Sequence, residues 1–428
     1  MYKIFKFDNG LTLYYAKNNI NKSTAIDICF ECGSRCDGNI PGLSHFCEHM
    51  FFTGTKTETK AEISKQYFDF IRVNAYTNSN EICFTGEIFT KELENYLSMV
   101  AKLITKSTFS KQAVEDEKKV VIQEIVKDND KYNRKASQLF SYLMFEKEYY
   151  KNGVLGSVKT VSSIQSKDVK AYVKKYFVSN NCSVFVCSPL SFSKVKNMVL
   201  SNLGNKLPQN LKVEKFDFDE YATTDTCKMN LKKANVEKNY LNIAFKVPHE
   251  ALTVDNVNTL GMLCDIMQDI SDGVPKYLRL QNNLVYYVDM YIHHCQKNNV
   301  LVFKTECSKE NIKSCIDVFC EYVSKLLKEG IMQSNIDKQK RHSRYYFETR
   351  ITKPTRHLND MYYSRRYNRI VTLEEGYKSY QKVKLNAVND VLHRLFDQPK
   401  FICSIYGDAG KSDVYTLNEL KEKFNKLN

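Results

Sequence analysis

The chain has 428 residues, 43% hydrophobic and 26% charged, which excludes a disordered or fibrous polymer and exceeds what one ordinary core accommodates. Lys and Arg number 63 against 49 Asp and Glu, and the net charge of +14 is spread along the sequence instead of gathered in a tail or polybasic anchor. No window approaches the roughly 18 apolar residues of a membrane helix, and the opening MYKIFKFDNGLTLYYAKN resembles neither a secretory signal nor an organellar presequence, so the expectation is a cytoplasmic protein with no membrane partner.

In chain order, KIFKFDNGLTLYYAK alternates apolar and polar residues around Asp8-Asn9-Gly10, which predicts a hairpin. STAIDICFECGS (23–34) predicts a strand closing on Gly33, and LSHFCEHMFF after Pro41-Gly42 a helix. VNAYTNSNEICFTGEI (73–88) predicts two strands around a Thr-Asn-Ser-Asn turn. Helices follow at 91–106 and 111–127, the second capped by Ser110, then a helix at 163–177 and a strand at 181–189. Periodicity lapses at 204–225, rich in Pro, Asn and charge. The order then restarts: strand 239–248, helix 256–267, helix-to-strand 275–292, strand 299–307 and helix 309–328. The repeated order predicts an α+β protein of two similar units, 1–208 and 229–428, joined by a linker at 209–228.

The fourteen cysteines lack paired Cys-x-x-Cys spacing, and the cluster Cys29, Cys32 and Cys36 has no second pair or His partner at finger spacing. Reduced, mostly buried thiols are the expectation. The densest basic run, DKQKRHSRYYFETRITKPTRH (337–357), predicts a long surface helix. A nucleic-acid site would gather its basic and aromatic residues in one patch, so no nucleic-acid partner is expected.

Two of the eight histidines stand four apart in His45-Phe46-Cys47-Glu48-His49. On a helix His45, Glu48 and His49 share one face, and two imidazoles one turn apart can reach one Zn2+. This is the H-x-x-E-H pattern, with Glu48 placed to hold water. A catalytic zinc needs a third ligand. Glu124, with Glu117 seven residues earlier on the same helix face, is the candidate, leaving Glu117 to orient a ligand or water. A Lys- and Glu-rich helix that only presents charge to solvent is the alternative for these two glutamates.

With NGLTLYY, ECGSRCD, GLSHFCEHMFFTGTKT, NAYTNSNE, EKKVVIQEI and VLGSVKTVSSIQSKDVKAYVKKYF in order, the chain resembles the pitrilysin/insulinase family of zinc peptidases. The likeness is to its half-length members, such as the mitochondrial processing peptidase β subunit and bacterial processing proteases. The resemblance implies two α/β-sandwich domains, mixed sheets packed with helices. It implies one Zn2+ per chain on His45, His49 and Glu124, which lies 75 residues after His49 as in the family, with Glu48 as base and Glu117 as auxiliary carboxylate. LRLQNNLVYYV resembles the family's Arg–Tyr segment, which implies that Arg279 and Tyr286 hold the substrate backbone and the oxyanion. Asn74, Ala75 and Tyr76 offer a strand edge to an extended peptide. FIRV before NAYT and GVPKY before Arg279 depart from the family pattern and leave the pocket shape open. Half-length relatives imply a dimer enclosing a chamber for unfolded peptides, here a homodimer or a heterodimer with a sister subunit. A catalytically silent scaffold is the alternative.

Overall fold

The structure, a computed structural model, describes all residues except 1, 21, 71, 211–212, 214–225, 248–253, 295–298, 368–369 and 428. The greater part of the expected linker, and the end of the expected strand at 248, lie outside the described residues. Two compact units divide the chain, and each is built from separated segments: Met1–Asp130, Glu148–Asp217 and Glu348–Leu373 in the first, Lys131–Lys147, Phe218–Phe347 and Glu374–Asn428 in the second. The boundaries therefore differ from the contiguous halves expected from periodicity. Periodicity marks where a helix starts and stops, not which sheet its apolar face will cover.

The first unit contains β1 (Tyr2–Lys6), β2 (Thr12–Lys17), β3 (Ser23–Phe30), α1 (Leu43–Met50), α2 (Lys60–Phe68), β4 (Arg72–Thr77), β5 (Ile82–Phe89), α3 (Leu93–Lys106) and α4 (Lys111–Asn129). After α5 (Tyr132–Phe145), which belongs to the second unit, come α6 (Glu148–Asn152), α7 (Val158–Ser163), α8 (Ser166–Tyr176), β6 (Cys182–Ser188) and α9 (Phe192–Val199). The sheet order is β1-β2-β6-β3-β5-β4, antiparallel except for the β2/β6 pair. The expected hairpin is present, with Gly10 at φ +85°, a left-handed position that glycine adopts without strain.

Strand alternation sorts two cores. Ile26, Ile28 and Phe30 of β3, with Val184 and Val186 of β6, face the main core with Phe46, Met50 and Val121. Ala25, Cys29, Phe185 and Cys187 face the other way, onto Leu358 and Met361 of α13 (Pro354–Tyr367). Both faces of the sheet are covered, which explains why β3 and β6 are buried almost throughout.

The second unit contains α5, β7 (Lys228–Lys233), β8 (Asn239–Lys246), α10 (Val254–Met267), β9 (Tyr287–His294), β10 (Asn299–Cys307), α11 (Ile312–Glu329) and most of α12 (Gln333–Arg350). It ends with α14 (Leu373–Lys382), α15 (Leu385–Phe396), β11 (Phe401–Gly407) and α16 (Leu417–Asn425). Its sheet runs β7-β11-β8-β10-β9 with the β7/β11 pair parallel. Leu241, Ile243 and Phe245 face a core with α10, α11 and α15, while Tyr240 and Tyr406 face Ala136 of α5. The architecture is α+β, two similar units of mixed sheet and helix.

Two further expectations are corrected. The basic run 337–357 is not one surface helix: α12 ends at Arg350 and α13 starts at Pro354, whose ring favours the first helical position and disfavours helix before it. Among the cysteines, Cys29 and Cys83 are directly opposed on β3 and β5 and form a disulfide, because the strand register brings them face to face. The other described cysteines are free, most of them buried.

Candidate metal centre

Helix α1 starts where Gly42 adopts φ +93°, a conformation other residues resist. Glycine has no side chain to cap the exposed N–H groups, and Asp37 supplies one: its carboxylate accepts from the N–H of Gly42 and of Ser44, each at 2.7 Å. Gly156 packs against the same start, so closely that a Cβ there would fall 2.1 Å from the carbonyl oxygen of Pro41. Leu43, Phe46, Cys47 and Met50 are buried, which orients the remaining face of α1 with His45, Glu48 and His49.

Helix α4 packs beside α1, opened by Ser110, whose hydroxyl accepts from the N–H of Ala113. Val114, Glu117, Val121 and Ile125 are buried; Glu124 is half-exposed and Val120 faces outward. One atom each from His45, His49 and Glu124 lie within 4.8 Å of one another. Nε2 of His45 is 3.7 Å and Nε2 of His49 3.5 Å from Oε2 of Glu124. Ligands about 2.0–2.1 Å from a tetrahedral zinc stand roughly 3.4 Å apart, so the donor set fits that ion in kind and, for the two histidine–Glu124 separations, in spacing.

Glu117 is 5% exposed and sits behind His49: its Oε1 lies 3.0 Å from Nδ1, and Lys60 Nζ donates to Oε2 at 2.5 Å. A carboxylate at Nδ1 fixes that nitrogen as the donor, so that the neutral ring, the form that binds a metal, would turn its Nε2 lone pair toward Glu124. Burial pushes the Glu117 carboxyl up, but the hydrogen bonds from His49 and Lys60 outweigh it and hold it below the usual range. For His49, burial favours the neutral ring, yet the hydrogen bonds to Glu117 and Glu124 and the charge of Glu48 raise it to about 9. The surrounding carboxylates favour positive charge at this place.

Burial raises the Glu48 carboxyl above its ordinary value, opposed by a hydrogen bond from Thr77, whose Oγ1 donates to Oε2 at 2.5 Å, and by His49. Thr77 ends β4, one of the two edge strands of its sheet, on which Asn74, Ala75 and Tyr76 also lie. The hydroxyl of Tyr67 already donates to the Asn74 carbonyl at 2.8 Å. Arg279 and Tyr286 belong to the second unit, flanking the turn between the helical segment Lys276–Gln281 and β9. There the guanidinium lies 4.7 Å from the centroid of the Tyr286 ring, which is 83% exposed, beside a cavity of ≈ 660 Å³ that Cys307 and Asn311 also line. Sequence reasoning missed Asp37, Lys60 and Thr77. Thr77 follows directly on the edge residues and could have been found there; for Lys60, one lysine among many, no signal stood out.

Fold and donor set define a class: paired α+β units, one with a helix-borne H-x-x-E-H cluster completed by a carboxylate from a second helix. The model of Insulinase (Peptidase family M16) matches residues 13–157 and that of the Peptidase M16 inactive domain residues 163–342, so the chain belongs to the M16 peptidase family. An uncharacterized zinc protease of Bacillus subtilis, YmxG, is 24% identical over 412 residues, 93% of this chain and 96% of that protein. The mitochondrial-processing peptidase subunit beta of Blastocladiella emersonii is 21% identical over 225 residues, 52% of this chain and 48% of that one. The crystal structure of a protease from Helicobacter pylori shares the fold at a TM-score of 0.83 and 16% identity, over 95% of this chain and 99% of that chain. No helix among the described residues is long and apolar enough to cross a membrane.

Proposed function

We propose that the chain is a zinc-dependent endopeptidase acting on unfolded peptides. The observation that supports it most is the meeting of His45, His49 and Glu124 within 4.8 Å, with Glu48 on the same helix face. His45, His49 and Glu124 would hold one Zn2+, with Glu117 fixing the tautomer of His49. When bound, the ion supplies Lewis acidity, which acidifies water to a pKa of about 7 and polarises a peptide carbonyl. Glu48 takes the proton from the attacking water and hands it to the leaving amine. Tyr286 donates a hydrogen bond to the developing oxyanion, a contact worth about 3 kcal/mol, and Arg279 holds the substrate backbone. The peptide adds as a further strand along β4, at Asn74, Ala75 and Tyr76, a mode that reads backbone more than side chains.

Replacing Glu48 by Gln keeps the shape of the side chain and removes the base. Glu48→Gln is expected to retain one zinc per chain and lose peptidase turnover by at least about a hundredfold. Undiminished cleavage of an unfolded protein such as labelled casein would end the reading. The retained ligands and base favour it over a silent scaffold.

The architecture we propose is a dimer, of two copies or with a sister subunit, in which the metal site of one subunit works with Arg279 and Tyr286 of the partner subunit. The name of the mitochondrial relative, a subunit, supports this arrangement. Mixing Glu48→Gln with Arg279→Ala, each inactive alone, should restore part of the activity once subunits exchange. Absence of rescue after demonstrated exchange would require each site to be complete within one chain.

A further inference from the structure

Arg365 of α13 has no part in the proposed hydrolysis, yet its side chain is only 9% exposed and closely held. Nη2 donates to Oε2 of Glu81 at 2.9 Å, and Nη1 lies 3.8 Å from Oε1 of Glu31. The guanidinium also lies 5.3 Å and 5.1 Å from the ring centroids of Phe185 and Tyr362. An apolar pair of the same volume would stabilise the unit as well. What a buried ion pair adds is a fixed position for Glu81.

Glu81 closes the turn from β4 to β5. Its N–H donates to Asn78 Oδ1 at 2.9 Å, the Asn80 N–H donates to the same atom at 2.7 Å, and the Asn78 N–H donates to the Glu81 carbonyl at 3.0 Å. The turn is seated on Gly33–Arg35: the N–H of Ser34 donates to Asn78 O at 3.0 Å and that of Arg35 to Ser79 O at 3.1 Å. Gly33 permits the approach, since a Cβ there would fall 2.1 Å from Asn78 O. Immediately before the turn stands Thr77, whose hydroxyl holds Glu48.

We propose that Arg365 is a positioning residue for Glu48: through Glu81 it locks the β4–β5 turn, and through Thr77 the locked turn aims the carboxylate. The segment 348–373 would thus complete a site whose metal ligands and base all lie in the first 124 residues. This rests on the peptidase reading, within which Glu48 is the base.

The test is a double-mutant cycle on the zinc-loaded full chain, with labelled unfolded casein as substrate and zinc content measured for every variant. Thr77→Val should lower kcat about tenfold and Arg365→Met about fivefold, KM staying within about twofold. Arg365→Lys should recover most of the loss. The double variant should be no slower than Thr77→Val alone, because the arginine acts through the threonine. An equal loss from Arg365→Met in both backgrounds, or a loss confined to KM, would overturn the proposal. If Arg365→Met fails to fold, Glu81→Gln, which keeps its volume, replaces it in the cycle. Should the wild-type chain cleave nothing, the peptidase reading falls, and hydrogen exchange still decides the mechanical link. Faster exchange at Ser34, Arg35 and residues 78–81 in the variant, with β10 unchanged, would uphold that link; unchanged protection there would overturn it.

Discussion

Without β1, the first sheet runs β2-β6-β3-β5-β4 and the second β7-β11-β8-β10-β9, each with a parallel pair at one end and antiparallel pairs thereafter. Helix α1 lies between β3 and β4 in sequence as α10 lies between β8 and β9, and α4 follows α3 as α12 follows α11. The equivalent helices carry different chemistry. Where α1 presents His45, Glu48 and His49, α10 has no histidine and buries Leu260, Met262, Leu263, Ile266 and Met267. Where α4 carries Glu117 and Glu124, α12 has only Asp337 and Glu348 as acids against five Lys and Arg. Each unit also covers the outer face of its sheet with a helix from the other half of the sequence, α13 in the first and α5 in the second. The fold is thus indifferent to the candidate metal cluster, which a handful of polar residues add to one copy of a shared frame. In the other copy Tyr286 directly precedes β9, the counterpart of the β4 edge.

The largest expected effect sharpens that asymmetry. His49→Ala and Glu124→Gln should each weaken zinc affinity by more than about a hundredfold, since each removes a direct ligand of the proposed site. Arg279→Ala, in the other unit, should leave one zinc per chain. Zinc content after dialysis against a weak chelator reads both, and a zinc loss in Arg279→Ala would break the comparison. A smaller effect is expected for Glu117→Gln, whose amide oxygen still accepts from Nδ1 of His49 but without charge. Zinc affinity should fall about tenfold, within the range for partners that orient a ligand. Competition with a zinc-binding dye would measure it, and an unchanged affinity would leave Glu117 only its ion pair with Lys60.

Much of the centre was legible in the sequence because it is built from local spacing. His45, Glu48 and His49 sit three and four residues apart and Glu117 and Glu124 seven apart, separations that helix geometry converts into shared faces. The edge position of Asn74, Ala75 and Tyr76 came with the family resemblance, because two strands and a short turn do not by themselves say which strand lies at the margin of the sheet. Contacts between distant parts of the chain were not legible. Arg365 and Glu81 are 284 residues apart, and nothing in the pattern of α13 says that it packs on the first sheet. The Cys29–Cys83 disulfide depends on the register of β3 against β5, which alternation alone leaves open.

The smallest expected effect concerns Asp37, which holds the start of α1 through two backbone N–H groups and is buried at 7% exposure. Burial is the dominant influence on its carboxyl and, despite those hydrogen bonds, raises it from 3.8 to about 7. Between these values the folded chain binds more proton than the unfolded one, so raising the pH through this window withdraws stability. An asparagine at this place accepts a hydrogen bond without titrating. Asp37→Asn should therefore lower Tm at pH 5, where its NH2 group faces one of the two N–H groups, and close on or overtake the wild-type chain by pH 8. A gap that narrows by at least about 2 °C over that range is expected for a chain of this size. A gap that widens instead would mean that the ionised carboxylate, held by the start of the helix, stabilises α1 more than its burial costs. The metal helix would then rest on a permanent charge, for which α10 offers no comparison.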